Sequence, residues 1–255
     1  MADSVYNSIG VYPVEGGCNE MGASGIVRNA VSQFQANELI LASKLYKREL
    51  SDQITEAAYY KTLERMCKSG ELVKIAKGTY HIPKTGRFGI VPPSEKEIVS
   101  AFTEHGTGTV VGYSLYNTLN LTTQISKNIN VISSELEGFT KTIRNVTVHQ
   151  VPLRYTETVK NMVHGLDVLQ NFSSIQDINY SAFLSYAEKL SAEYDESAVR
   201  KVIAAGKYKK STVAFLREIL NYYHRENTLD RYLSSLSDYK IPKMEELYEA
   251  SRASV

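Results

Sequence analysis

The sequence is sparing in the features that would commit it to several common chemistries. Two cysteines, Cys18 and Cys67, are too few for a disulfide framework, and Cys67 falls on an apolar helical stripe. No apolar run reaches the roughly 18 residues a membrane span needs, and no charged stretch followed by an apolar run succeeds Met1. These absences predict a cytoplasmic protein in a reducing compartment, with no membrane contact. A net charge of +1 excludes a uniformly basic coat for nucleic acid, so any such binding has to come from a local patch. The five histidines (81, 105, 149, 164 and 224) are scattered, with no second histidine or cysteine at ligand spacing. No nucleophile elbow, paired-carboxylate signature or metal-binding helix motif occurs. The expectation is a protein that is not an enzyme and carries no metal or cofactor.

What is present is an ordinary globular composition, 43% hydrophobic and 22% charged, in a chain long enough for two units. Residues 54–83 stand out. Ile54, Ala58, Tyr59, Leu63, Met66 and Cys67 recur at helical spacing, Thr55 before Glu56 suits a helix start, and Gly70 suits a left-handed stop. Alternating residues 71–75, a Lys77-Gly78 turn and residues 79–82 then predict a hairpin that ends at Pro83. Two helices are expected upstream, over 26–34 and 36–50. The order is that of a winged helix-turn-helix. Between Ala57 and Arg87 lie seven lysines or arginines against two acids, an excess of five on this one motif.

The remaining chain sets the predicted fold class: α+β and helix-rich. A flexible tail (1–25) precedes the winged helix-turn-helix (26–85). Residues 86–93, rich in glycine and proline, read as a connector. A mixed α/β segment (94–155) opens on a capping box of Ser94 and Glu97, continues through a helix over 113–121, and carries strands near 129–133, 140–144 and 146–151. A helical region (156–255) follows, with helices expected over 179–193, 195–206, 211–226, 228–237 and 243–252. The glycines of residues 106–112 suit a helix-to-strand bend, since no Gly-Lys-Ser/Thr follows to make a phosphate loop.

A winged motif reads duplex DNA with one helix in the major groove and the wing along a phosphate track. The expected contacts are Thr55, Tyr60, Lys61, Arg65 and Lys68 on the helix, and Lys74, Lys77 and Gly78 on the wing. Six phosphate contacts would give a log–log salt slope of roughly −5.

Residues 34–83, above all LERMCKSGELVKIAKGTYHIP, resemble the N-terminal winged domain of the AbiEi-type abortive-infection antitoxins. A second stretch, VVGYSLYNTLNLTTQIS, is similar to that family's Gly-x-Ser…Leu-Thr-Thr-Gln segment, matched by Gly112, Ser114, Leu121, Thr122, Thr123 and Gln124. It departs from the pattern at Leu115, Asn120 and Ser126, where the family has alanine, glycine and proline. AGKYKKSTVAFLREIL resembles the family's C-terminal helices more loosely. The resemblance implies a transcriptional autorepressor that binds inverted repeats in its own promoter. It also implies the antitoxin of a type IV toxin–antitoxin system, opposing a nucleotidyltransferase-like toxin without a tight complex. The chain does not read as the toxin: after Ser114 no aspartate occurs until Asp167, and no Asp-x-acid pair follows to hold magnesium. Two other readings compete. A winged domain can dock a protein and never touch DNA. An enzyme on the middle segment would need convergence of His105, Glu135, Glu137 and His149.

Overall fold

A computed structural model describes residues 22–234 and 236–253. The fold is α+β, about half of it helical. Most of the expected tail, with Cys18, lies outside the described residues. Its last three residues are helical, because the first helix already begins at Ala23.

That first unit runs α1 (Ala23–Val31), β1 (Leu39–Leu41), α2 (Ala42–Leu45), α3 (Glu56–Lys68), β2 (Val73–Ala76) and β3 (Thr79–His81). The sheet order is β1-β3-β2, antiparallel throughout, with β3 central. The single helix expected over 36–50 is therefore two elements. Leu39, Ile40 and Leu41 form a strand against His81, Tyr80 and Thr79, and the helix starts only at Ala42. Its continuation to Leu50 is a wider turn, closed by the Ser51 N–H on the Tyr46 carbonyl. Three consecutive apolar residues carry no helical period of their own. Pairing with β3 decides their conformation.

α3 forms as its residues dictate. The Thr55 hydroxyl accepts from the Ala58 N–H at 3.3 Å, capping the start, and Gly70 takes φ +79° just past the end. Tyr59, Thr62, Leu63 and Met66 are its buried face, packed with Val27, Val31, Ile40, Leu45, Leu50 and Leu72 into the first core.

The expected connector is a β-hairpin, β4 (Lys84–Gly86) and β5 (Gly89–Val91), with Arg87 and Phe88 at its tip. Among the described residues it pairs with no other strand. After it, α4 (Glu95–Thr103) begins with the expected capping box: the Ser94 N–H donates to the Glu97 carboxylate at 2.6 Å, and the Glu97 N–H to the Ser94 hydroxyl at 3.3 Å. A second sheet of β6 (Gly108–Val111), β7 (Ile129–Ser133), β8 (Thr140–Ile143) and β9 (Val146–Gln150) has the order β6-β7-β9-β8. Only β7 and β9 pair parallel. α5 (Tyr113–Thr118) leaves the end of β6. Ile98 and Phe102 of α4 pack with Val131, Ile143, Val146 and Val148 of this sheet, and with Leu39 and Leu41 of β1, into a second core.

The third core is helical: α6 (Glu157–Asn171), α7 (Tyr180–Ala192), α8 (Glu196–Ala205), α9 (Lys210–Tyr222) and α10 (Met244–Ala253). The helix expected over 228–237 is a single short turn at Leu229–Tyr232. α6 takes the central place, and Val111, Leu115, Tyr116 and Leu121 from the middle segment join its cluster. Among the described residues no helix is long and apolar enough to cross a membrane.

His164 of α6 lies against the second sheet, its Nε2 2.7 Å from the Thr109 hydroxyl of β6. Burial, followed by nearby Lys160, pushes the imidazole down from 6.5 to about 4. At pH above 6.5 this site does not affect stability. As pH falls from 6.5 towards 4, the unfolded chain takes up a proton that the folded chain refuses, removing about 3 kcal/mol. Below about 4 this loss is complete. His164→Gln should therefore show a smaller fall in melting temperature between neutral and mildly acidic buffer than the unmutated chain. Equal falls would contradict the assignment.

Candidate nucleic-acid interface

The outward face of α3 is where charge collects. Lys61, Arg65 and Lys68 follow one another at i, i+4 and i+7 and are exposed, and Lys74 projects from β2 beside them. Glu64 sits among them. Its carboxyl is held below the ordinary range first by a hydrogen bond from Lys68, then by the charges of Lys68, Lys61 and Lys74. The Lys68–Glu64 pair is 2.8 Å long and exposed, so it contributes little to stability, but it half-neutralises Lys68. Among the described residues the side chains of Lys61, Arg65 and Lys74 have no ion-pair or hydrogen-bond partner within reach. This end of α3 is thus a cluster of cations around one acid.

The other end of the helix differs. Tyr60 is half-buried, edge-on to Tyr59 at 5.1 Å between ring centres, and burial pushes its hydroxyl up, aided by Glu137 and Glu56. Thr55 is exposed, but its oxygen caps the helix. Tyr59 is fully buried and donates to the Ala42 carbonyl at 3.0 Å, locking α3 to the start of α2. Of the helix residues singled out from sequence, Lys61, Arg65 and Lys68 share one open face, while Tyr60 lies where Glu56, Glu137 and Lys47 meet and Thr55 is taken up in the helix cap.

The β2–β3 turn is tethered. Lys141 of β8, half-buried and with its ammonium pKa lowered by burial, donates to the Lys77 carbonyl at 3.0 Å and the Thr79 hydroxyl at 3.2 Å. The Gly78 carbonyl accepts from the Ala42 N–H at 3.0 Å. Lys77 keeps an exposed side chain, but the turn backbone is held against the second sheet. Gly78 has φ +68°, which a glycine adopts without strain.

Sequence reasoning missed an acidic partner for α2. Lys44 and Arg48 pair with Glu135, at 3.6 and 2.8 Å, and Lys47 with Glu137 at 2.9 Å, where Ser43 also donates. Three cations near the motif are therefore taken up by the β7–β8 loop. Nothing local in the sequence signals this, because about ninety residues separate the partners. The same pairing disperses the titratable groups considered for an enzyme. Glu135 and Glu137 face α2, and His149 accepts or donates at Thr140, 3.1 Å away. Among the described residues no group of three or more histidine, cysteine, aspartate or glutamate side chains could hold a metal ion.

The second motif builds a clasp. The Gly112 N–H, at φ +71°, donates to the Asp167 carboxylate at 2.8 Å, and the Tyr116 hydroxyl to the same oxygen at 3.0 Å. Burial raises the Asp167 carboxyl above its usual range, against the pull of those two donors. Leu121 is fully buried, and its carbonyl accepts from the Asn179 N–H. The Thr122 hydroxyl donates to the Gln176 carbonyl and receives the Gln124 N–H, while the Gln124 amide reaches Asp177. Ser114 is half-buried, its carbonyl accepting from Thr118, and Thr123 is exposed. These residues tie α5 to α6 and to the loop before α7. A cavity of about 390 Å³ lies beside Asp167, lined also by Gly112, Tyr116, Asn130 and His149.

Lys141→Ala should free the β2–β3 turn. Amide hydrogen exchange at residues 77–79 is expected to quicken, with a stability loss of about 1–2 kcal/mol. Unchanged exchange there would show that the tether contributes nothing.

No curated protein matches the chain. The profile of a family of unknown function, DUF6088, matches residues 36–170, from just before β1 to near the end of α6. That stretch is more than half of the sequence, and the chain belongs to this family.

Proposed function

We propose that this protein binds duplex DNA through α3 and acts as a transcriptional autorepressor, serving as the antitoxin of a type IV toxin–antitoxin system. The observation that carries the DNA reading is the group of Lys61, Arg65, Lys68 and Lys74 around the single acid Glu64, on an outward helix face. The order helix, strand, helix, helix, strand, strand, with β3 between β1 and β2, supports reading this unit as a winged helix-turn-helix, in which α3 would be the recognition helix. Lys61 and Arg65 are long enough to reach base edges or phosphates, and Lys74 extends the track. The tethered wing makes Lys77 and Gly78 lesser contributors than the helix. The antitoxin role, against a nucleotidyltransferase-like toxin and without a stable complex, rests on the sequence resemblance at residues 34–83 and 112–124. In this reading Gly112, Ser114, Leu121, Thr122, Thr123 and Gln124 are scaffold, holding the helical region to the middle sheet.

The rival reading is a protein-docking adaptor. It is favoured by the mixed charge at the start of α3, where Glu56, Tyr60, Lys47 and Glu137 meet. One experiment separates the two. Lys61→Ala with Arg65→Ala removes two exposed side chains that touch no core, so the circular dichroism spectrum and melting temperature should hold. Affinity for DNA from the chain's own promoter should fall about 30-fold or more, at about 1–3 kcal/mol for each base contact. An unchanged gel shift would sink the assignment, and a lost shift with retained protein partners would sink the adaptor.

A further inference from the structure

The β4–β5 hairpin is unaccounted for by the α3 surface. Its register pairs Lys84 with Val91, Thr85 with Ile90 and Gly86 with Gly89, leaving Arg87 and Phe88 as the tip. Gly89 at φ +110° supplies the left-handed residue that closes such a turn. Among the described residues no other strand pairs with the ribbon. Phe88 is 96% exposed, Ile90 59% and Val91 42%. A lone two-stranded hairpin is marginal in water, and the almost fully exposed Phe88 ring gains it nothing in the free protein. An apolar tip of this kind, held out on a ribbon, suits contact with something outside the chain.

Charge indicates what that is. From Ile82 to Ser94 there are two cations and no acid. The Arg87 guanidinium sits 5.6 Å from the Phe88 ring centre, at the tip, and no carboxylate among the described residues is paired to it. Lys84, at the base, has Glu97 nearby and is partly offset. The small residues Thr85, Gly86 and Gly89 leave the ribbon thin. A thin cationic ribbon with an aromatic tip matches a nucleic-acid groove, where an apolar wedge enters between base steps and cations bear on the phosphates. Position agrees. β3 runs into the ribbon through only Ile82 and Pro83, and the last residue of β3, His81, pairs with Val73, the first residue after the α3–β2 connection. The ribbon thus leaves the sheet at the end where α3 finishes and its cations cluster.

We infer that the β4–β5 hairpin is a second DNA-contacting arm, which places Arg87 on the backbone and wedges Phe88 into the minor groove beside the α3 site, bending the duplex. This rests on the DNA reading of α3. The arm adds affinity and shape readout at base pairs that α3 does not touch.

The test uses the full chain and a labelled duplex spanning the DNA immediately upstream of its own reading frame. Anisotropy titrations over a salt series, with gel mobility of circularly permuted fragments, compare the unmutated chain with Phe88→Ala and Arg87→Ala. Both side chains are exposed, so the melting temperature should not move. Phe88→Ala should weaken binding about tenfold and abolish the bend. Arg87→Ala should reduce the log–log salt slope by about one. If both variants bind and bend the duplex as the unmutated chain does, while the Lys61/Arg65 double alanine variant does not bind, the arm is refuted and the α3 reading stands. If the unmutated chain binds no duplex, both are refuted. If Phe88→Ala turns a dimer into a monomer by light scattering and leaves DNA binding alone, the ribbon's occupant is a second copy, and the inference is wrong.

Discussion

The architecture depends on three residues of β1. A strand turns alternate side chains to opposite faces, and here both faces are interior. Ile40 is fully buried in the first core with Tyr59, Leu63 and Met66 of α3. Leu39 and Leu41 are buried in the second, against Ile98 and Phe102 of α4 and the valines of the four-stranded sheet. One short strand therefore fixes the α3 unit to the middle sheet. Ion pairs of α2 with Glu135 and Glu137, and the Lys141 tether, work around that joint. The Lys47–Glu137 pair is exposed and adds little, whereas Glu135 and Lys141 are largely covered.

Fixing the joint has a consequence for the surface. Cations on α2 and its continuation are matched by Glu135 and Glu137, while the β2–β3 turn is held by its backbone and leaves the Lys77 side chain exposed. Lys61, Arg65 and Lys74 beside α3, and Arg87 on the ribbon beyond β3, have no ion-pair partner among the described residues. Net charge near neutrality hides this separation completely. Open cations raise the positive potential locally around the end of α3.

Much of this was legible in the sequence, for local reasons. The α3 cap at Thr55, the Gly70 stop, the Ser94–Glu97 box and the spacing of Lys61, Arg65 and Lys68 are all set within a few residues. What was not legible depends on distant partners. Leu39–Leu41 reads equally as helix until β3 is placed beside it. The tip at Arg87 and Phe88 looks like a glycine-proline connector, because a ribbon with both faces open has no buried alternation to announce it, only the turn pattern around Gly89. The roles of Asp167, Glu135 and Glu137 emerge only when residues some fifty to ninety positions apart meet. The Gly112–Gln124 motif was legible as a motif but not as a clasp, for the same reason.

The central claim is that unpaired cations of α3 meet a phosphate backbone. The most direct measurement is the affinity of the unmutated protein for its own upstream duplex across a range of salt. With Lys61, Arg65 and Lys74 open, Lys68 partly offset and the ribbon adding to them, the log–log slope should lie between about −3 and −5. A slope near zero, or no binding at low salt, would contradict the account.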